Sequence, residues 1–339
     1  MQKKTIAFSS AKVDYYFDGN FSILGKLVNQ EQAVIITDEN VFKKHKAKLK
    51  GWQCIVIPAG EQNKNQTTID YTINKLIEVG ADRQTILVGI GGGVVTDITG
   101  FVAGIYMRGL KFGFVPTTIL SLVDAAIGGK NGIDVGLYKN MVGLIKQPTF
   151  ILFDYSFLQT LPKAEWINGF AEVIKHACIK DAKLFSTLEQ HSIAYYKKDA
   201  SALAALIKHN VQIKTKIVTN DEFETGERKL LNFGHTIGHA IENLYRIPHG
   251  HAISIGMGVA CNISEKKGPF NDGIRVLTLL KQYGLPPLFE FDKKAVGNII
   301  LKDKKKEKKV LQFIILKKIG LAIIEPIEIA DLSALLANV

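Results

Sequence analysis

Short, continuously apolar runs alternate with helical stretches through the first half of the chain. Ala33-Val34-Ile35-Ile36-Thr37-Asp38 is β-branched and apolar until it ends in an acid, which predicts a strand buried on both faces. Cys54-Ile55-Val56-Ile57-Pro58-Ala59-Gly60, Thr85-Ile86-Leu87-Val88-Gly89-Ile90 and Lys111-Phe112-Gly113-Phe114-Val115-Pro116 repeat the pattern, and Leu152-Phe153-Asp154 ends the last strand of this half. Residues 67–79 carry apolar positions at helical spacing and stop at Gly80. The opening residues 1–10 read as a further short strand. Strands of this kind alternating with helices predict a parallel sheet covered on both faces. From Phe157 onward helical spacing dominates, through Ile217 and on to Tyr283, with residues 310–316 as a late strand. The fold class is therefore α/β, with a parallel-sheet domain over residues 1–160 and a mostly α-helical domain over 161–339. The boundary is a composition shift near residues 157–162.

The length of 339 residues and the apolar share of 47% suit a two-domain globular protein. No apolar run reaches the length of a membrane span, and the start lacks the apolar core and cleavage site of a secretory signal. Cys54, Cys178 and Cys261 are odd in number and widely spaced, which fits reduced thiols in a cytoplasmic protein. The net charge of +11 is local: residues 302–318 hold eight lysines against Asp303 and Glu307, a surplus of six. That tract has no interleaved aromatics and belongs to no nucleic-acid module, so neither nucleic acid nor membrane is expected as a partner.

Three stretches carry candidate chemistry. Gly89-Ile90-Gly91-Gly92-Gly93-Val94-Val95-Thr96-Asp97 follows a strand and opens a helix, so its backbone N–H groups suit a pyrophosphate. It is not G-x-G-x-x-G, and no acid stands about twenty residues later on a second strand. Asp38 either holds a ribose hydroxyl in its place or is a cap residue. Gly128-Gly129-Lys130 offers a lysine to an anionic ligand, or a mobile surface lysine; Lys139-Asn140 follows in another glycine-bearing loop. The densest stretch is Asn232-Phe233-Gly234-His235-Thr236-Ile237-Gly238-His239, closing at His249-Gly250-His251, where four of the eight histidines fall. His235 and His239 share a helix face and could hold one divalent metal between them, or be satisfied histidines of a packed helix. A catalytic zinc often adds a carboxylate. Glu172, in the mostly apolar Ala171-Glu172-Val173-Ile174-Lys175, is the candidate, although an ion pair with Lys175 explains it equally well at this level.

In combination these segments resemble 3-dehydroquinate synthase, a sugar phosphate cyclase family of the shikimate pathway. The matching stretches also include Ala59-Gly60-Glu61-Gln62-Asn63-Lys64, Tyr106-Met107-Arg108-Gly109, Pro116-Thr117-Thr118, Gly169-Phe170-Ala171-Glu172 and Lys302-Asp303-Lys304-Lys305, in family order over nearly the whole chain. The resemblance implies a Rossmann-like N-terminal domain, a C-terminal metal-binding domain and a site in the cleft between them. It implies NAD, one divalent metal (zinc or cobalt) and a homodimer. Glu172, His235 and His249 match the metal ligands, which moves His239 from ligand to substrate-facing residue. NAD contacts carry over to Asp38, Glu61, Lys64, Gly93, Val94, Asp97, Thr117, Thr118, Lys139, Phe157 and Thr160. Catalytic roles carry over to Lys130, Lys175, Glu224, Asn232 and His239, and substrate contacts to Arg108, Asp124, Asn140, Lys214, Arg228, Lys304 and Lys305.

The implied reaction converts 3-deoxy-D-arabino-heptulosonate 7-phosphate to 3-dehydroquinate and phosphate, by transient oxidation by NAD, β-elimination of phosphate, re-reduction and an intramolecular aldol closure. The alternatives are a cyclase acting on sedoheptulose 7-phosphate and a metal-dependent polyol dehydrogenase. One departure is His251, where many relatives carry an acid; it either competes as a metal ligand or faces solvent, and the second is the reading taken. The run Asn131-Gly132-Ile133-Asp134 carries no expectation.

Overall fold

The computed structural model of the protein describes residues 1–136, 138–304 and 310–328 together with positions 331 and 336; in the last helix, side chains are described as far as Ile300. The chain divides into two compact units, Met1–Glu165 with Ala204–Phe223, and Trp166–Leu203 with Glu224–Val339.

The first unit opens with β1 (Gln2–Ala7), β2 (Lys12–Phe17) and a short helix α1 (Leu24–Leu27). Then β3 (Ala33–Asp38), α2 (Glu39–Leu49), β4 (Gln53–Ile57), α3 (Gln66–Glu78), β5 (Ile86–Gly91), α4 (Gly93–Ile105) and β6 (Lys111–Pro116) alternate strand with helix. A separate antiparallel hairpin of β7 (Lys130–Val135) and β8 (Tyr138–Ile145) precedes β9 (Phe150–Leu152). The main sheet has seven strands in the order β1-β2-β9-β6-β5-β3-β4, parallel except for the β1–β2 pair. Ile35 and Ile36 of β3, Val88 and Ile90 of β5 and Phe112 and Val115 of β6 are all fully buried. Side chains of this size stabilise the fold by about 1.5–3 kcal/mol each when taken out of water. Phe21, Leu24, Leu49, Phe150 and Phe157 extend this core on one face.

The hairpin corrects one expectation. Lys139 and Asn140 lie in β8, not in a loop. Tyr138 and residues 140–143 are exposed, so no burial pattern marks this strand; pairing with β7 alone defines it.

The second unit is mostly helical. It holds α5 (Lys163–Lys180, whose first residues belong to the first unit), α6 (Ala182–Gln190), α7 (Ile193–Lys198), the start of α8 (Ala200–Asn220), α9 (His235–Tyr245), α10 (His249–Lys267), α11 (Gly273–Gln282), α12 (Lys293–Lys304) and a β10–β11 hairpin (Val310–Lys318, Leu321–Glu328). From Ala204 onward α8 counts with the first unit. There Lys208 pairs with Asp18 at 2.5 Å. Just past α8, the buried Glu222 accepts hydrogen bonds from the Ser10 backbone at 3.0 Å, from the Ser9 and Ser10 hydroxyls and from Gln147 at 2.8 Å.

Helices α9 and α10 meet through glycines. A Cβ on Gly256 would fall 1.9 Å from the carbonyl oxygen of Gly234, and one on Gly238 would fall 2.8 Å from Ile253. Gly234 itself is left-handed (φ 79) and caps the start of α9. This close approach is available only without side chains, and it sets the spacing of the two helices whose first residues are His235 and His249.

Candidate functional site

In the first unit, candidate cofactor residues gather at the carboxyl ends of neighbouring strands. Asp38 ends β3, Gly91-Gly92-Gly93 joins β5 to α4, and Thr117 and Thr118 follow β6. Such strand ends are where open parallel sheets bind ligands. Gly92 caps α4 without a side chain, so the first N–H groups of a helix that opens with Gly93 and Val94 present themselves to an anion. Thr117 is held by its N–H on the Gly91 carbonyl at 2.9 Å, and a Cβ on Gly92 would come within 3.1 Å of Thr118. Asp38 has the cap role that its position allows, accepting from the N–H groups of Asn40 at 2.9 Å and Val41 at 3.0 Å. Phe157 is buried against His45, with ring centroids 4.6 Å apart, and the Thr160 hydroxyl meets the same imidazole at 2.8 Å.

A polar group lies beside this turn. Lys64, 5% exposed, pairs with Asp97 in the first turns of α4 and donates to the side-chain oxygen of Asn140. Burial pushes the Asp97 carboxyl up to about 6 while Lys64 pulls it down; burial works against the charge on Lys64, but Asp97 outweighs it and raises the lysine. Lys139 donates to Glu61 at 3.0 Å. Lys214 on α8 reaches Asp124 twice, its carboxylate at 2.8 Å and its carbonyl at 2.6 Å. Asp124 sits in a π-helical turn, Ser121–Ala125. Arg108 is exposed and, with Met107, left-handed (φ 68 and 47). Lys130 begins β7 and is exposed.

The second unit assembles the candidate metal ligands. Glu172 is fully buried on α5. The Nε2 atoms of His235 and His249 lie 3.5 and 3.2 Å from the same Glu172 oxygen, and the three donor atoms are all within 4.8 Å of one another. Each ring's other nitrogen is engaged: Nδ1 of His235 donates to the Phe233 carbonyl at 3.1 Å, and Nδ1 of His249 meets the Glu242 carboxylate at 3.2 Å. A carbonyl only accepts, so the His235 proton sits on Nδ1 and the Nε2 lone pair faces Glu172. Lys175, one turn along α5 and also buried, pairs with the second Glu172 oxygen. Burial, with Lys175 adding to it, depresses His235 well below the usual imidazole range. Burial also opposes a charge on His249, but its hydrogen bonds to Glu172 and Glu242 push it up to about 10. Two imidazoles and one carboxylate, with the imidazoles oriented by outer acceptors, fit a divalent ion of the zinc type.

His239 lies one turn along α9, its ring 5.1 Å from that of His235 and 6.0 Å from that of His249. It also falls within a second donor grouping, with Glu242 and His249. His251 joins no such grouping among the described residues. Arg228, 2% exposed, and Asn232 share the turn Glu227–Asn232, where Asn232 donates to Glu224 at 2.7 Å. Glu224 is itself left-handed (φ 61). Lys305 lies outside the described residues, and of Lys304 only its place at the end of α12 is described.

Two residues at this site have no assigned role in the sequence reading. Glu242 stands seven residues after His235 and three after His239, on the same helical face; an acid there is the signal that was available. Asn168 accepts from the Gly250 N–H, and a Cβ on Gly250 would fall 2.3 Å from the Asn168 carbonyl oxygen. Nothing in the sequence pairs these two.

Residues 54–168 match the family model described as 3-dehydroquinate synthase N-terminal, and residues 169–306 match that described as 3-dehydroquinate synthase C-terminal. A 3-dehydroquinate synthase of Saccharolobus solfataricus is 41% identical over 305 residues, covering 87% of this chain and 86% of that protein. Among solved structures, 2-epi-5-epi-valiolone synthase from Streptomyces hygroscopicus, with NAD+ and Zn2+ bound, is similar with a TM-score of 0.86 at 26% identity, covering 98% of this chain and 97% of that one. A 2-deoxy-scyllo-inosose synthase complexed with carbaglucose-6-phosphate, NAD+ and Co2+ has a TM-score of 0.84 at 22% identity, covering 99% of each chain, and shows the shared fold.

Proposed function

Because the chain belongs to the 3-dehydroquinate synthase family, we propose that it converts 3-deoxy-D-arabino-heptulosonate 7-phosphate to 3-dehydroquinate and inorganic phosphate, with NAD and one divalent metal, zinc or cobalt, as resident cofactors. The observation that carries this reading is the buried Glu172 facing the Nε2 atoms of both His235 and His249, in a chain that also carries the glycine turn at the head of α4. A bound divalent ion supplies Lewis acidity to a substrate alcohol, and a bound nicotinamide takes up a hydride and returns it, so no net redox occurs.

The chain's own residues do the rest. Glu172, His235 and His249 hold the ion. The first turn of α4, Asp38, Glu61, Lys64, Asp97, Thr117, Thr118, Lys139, Phe157 and Thr160 bind and orient the dinucleotide. Lys130, Asn140, Arg108, Arg228, Lys304 and Lys305 bind the phosphate, with the arginines able to engage two oxygens at once. Asp124 and Lys214, already paired with each other, and Glu224 and Asn232 orient the polyol. His239, half-buried beside the ligand histidines, accepts the proton of the oxidised alcohol. Lys175 neutralises Glu172 and reaches the reacting carbon chain from the same helix face.

The test is phosphate release from the heptulosonate phosphate, with and without a chelator, beside sedoheptulose 7-phosphate. The reading requires chelator-sensitive phosphate release with no lasting nicotinamide absorbance, and a clear preference for the heptulosonate. Stoichiometric NADH without phosphate would identify a polyol dehydrogenase instead. The same reading carries a homodimer, checked by a solution mass of twice 37.4 kDa, and a cytoplasmic setting, with which the free Cys54, Cys178 and Cys261 agree. Among the described residues, no helix is long and apolar enough to cross a membrane.

A further inference from the structure

The β7–β8 hairpin contains an irregularity that falls on two candidate site residues. Ile133 pairs with Val142 and Val135 with Tyr138, so Asp134 alone stands opposite Lys139, Asn140 and Met141. Bulges of this kind re-aim side chains. The backbone of Asn140 is left-handed (φ 53), a conformation that asparagine adopts more readily than most residues with a Cβ. Among the described residues, the Asn140 N–H donates to the Asp134 carboxylate at 2.8 Å, a contact that favours this conformation. Asp134 in turn donates its own N–H to the Lys64 carbonyl at 2.8 Å, and Lys64 donates its ammonium to the Asn140 side-chain oxygen. Asp134, Asn140 and Lys64 thus close a ring of three hydrogen bonds. Lys64 also pairs with Asp97 on α4, so the ring ties the hairpin to the glycine-turn helix.

We infer that Asp134 is a positioning residue: its carboxylate fixes the left-handed backbone of Asn140, so that the Asn140 amide, also held by the Lys64 ammonium, is presented to the phosphorylated substrate. This rests on the proposed function, since it needs Asn140 to face the substrate phosphate. In this role Asp134 acts through its neighbour and not by touching ligand. Its effect passes through Asn140, which predicts that the two residues act as one unit and not additively.

The experiment compares Asp134→Ala, Asn140→Ala, the double variant and Asp134→Asn, whose side-chain oxygen still accepts the Asn140 N–H. Asp134→Ala is expected to raise KM for the heptulosonate phosphate about tenfold, to leave the NAD dissociation constant within twofold and to leave Tm within a few degrees. Asp134→Asn should recover most of the loss, and the double variant should be no worse than Asn140→Ala alone. Losses that multiply in the double variant, or an unchanged KM in Asp134→Ala, overturn the inference. Hydrogen exchange gives a readout independent of turnover: the Asn140 amide should lose protection in Asp134→Ala while the amides of Ile133 and Val142 keep theirs. Unchanged protection at Asn140 sinks the positioning role whatever the enzyme does. A wild-type protein that releases no phosphate, with Asn140 deprotected as expected, sinks the functional reading and leaves the ring intact.

Discussion

Glu242 gives the sharpest test of the proposed metal site, because its carboxylate touches a proposed ligand and is not itself one of the three proposed. It is 6% exposed and accepts from Nδ1 of His249 at 3.2 Å, while Nε2 of the same ring faces Glu172. Replacing it by glutamine keeps an acceptor oxygen and removes the charge. A hydrogen bond to a charged group contributes about 1.5–3 kcal/mol net, against about 0.5–1.5 for a neutral one. The midpoints of the two ranges differ by about 1.25 kcal/mol, or nearly tenfold in affinity. Alanine also frees the ring to rotate and should cost closer to a hundredfold, the upper range for partners that orient metal ligands. The assay is competition for zinc between the apoprotein and a chromogenic chelator, with NAD binding as the control. Expected are a zinc dissociation constant about tenfold weaker in Glu242→Gln, about a hundredfold weaker in Glu242→Ala and unmeasurable in His249→Ala. If Glu242→Ala binds zinc within twofold of wild type while His249→Ala has lost it, the orienting argument is wrong.

Three further outcomes follow from the packing and the charges. Lys175→Met removes the cation paired with the second oxygen of the buried Glu172, leaving His249 on the first, and should destabilise the apoprotein by about 3 kcal/mol; saturating zinc should then raise Tm more in the variant than in wild type, and equal shifts by calorimetry would refute the pairing. Gly256→Ala drives a methyl into the Gly234 carbonyl and should push α10 from α9, weakening zinc binding at least tenfold; tight binding in a folded variant would show that the helices have slack. Burial alone would raise Glu222, but hydrogen bonds from Ser10, Ser9 and Gln147 bring it down to about 2, below the unfolded value of about 4.3. Its contribution, about 3 kcal/mol, is therefore complete above pH 4.3 and vanishes as pH falls towards 2, so the gap in urea stability between wild type and Glu222→Gln should shrink from pH 7 to pH 3; a constant gap would refute it.

What could be read in the sequence tracks how local the physics is. β3, β5 and β6 are legible because burial on both faces leaves uninterrupted apolar runs. β8 is not, since five of its eight residues are exposed and pairing with β7 makes it a strand. The histidine cluster is conspicuous, yet spacing pairs His235 with His239; the structure places Glu172 and His249, from two other helices, beside His235. Lys64 and Asp97 are 33 residues apart in sequence and Lys214 and Asp124 are 90 apart, and no periodicity connects such pairs; resemblance to a family singles them out, and tertiary packing joins them. The return of α8 to the first unit is equally invisible, because an amphipathic pattern shows that a face is covered and not by what.

That return has a consequence for how the molecule is made. A fragment ending at Glu165 would contain every strand of the seven-stranded sheet, yet Ser9, Ser10 and Gln147 would lack the carboxylate they share and Asp18 its lysine. On the ribosome those contacts cannot form until residue 223 has left the exit tunnel, with the whole of α5 to α7 already emerged. A single scission in the gene could not release the sheet-bearing unit intact; separating it would take two cuts and a graft of residues 204–223.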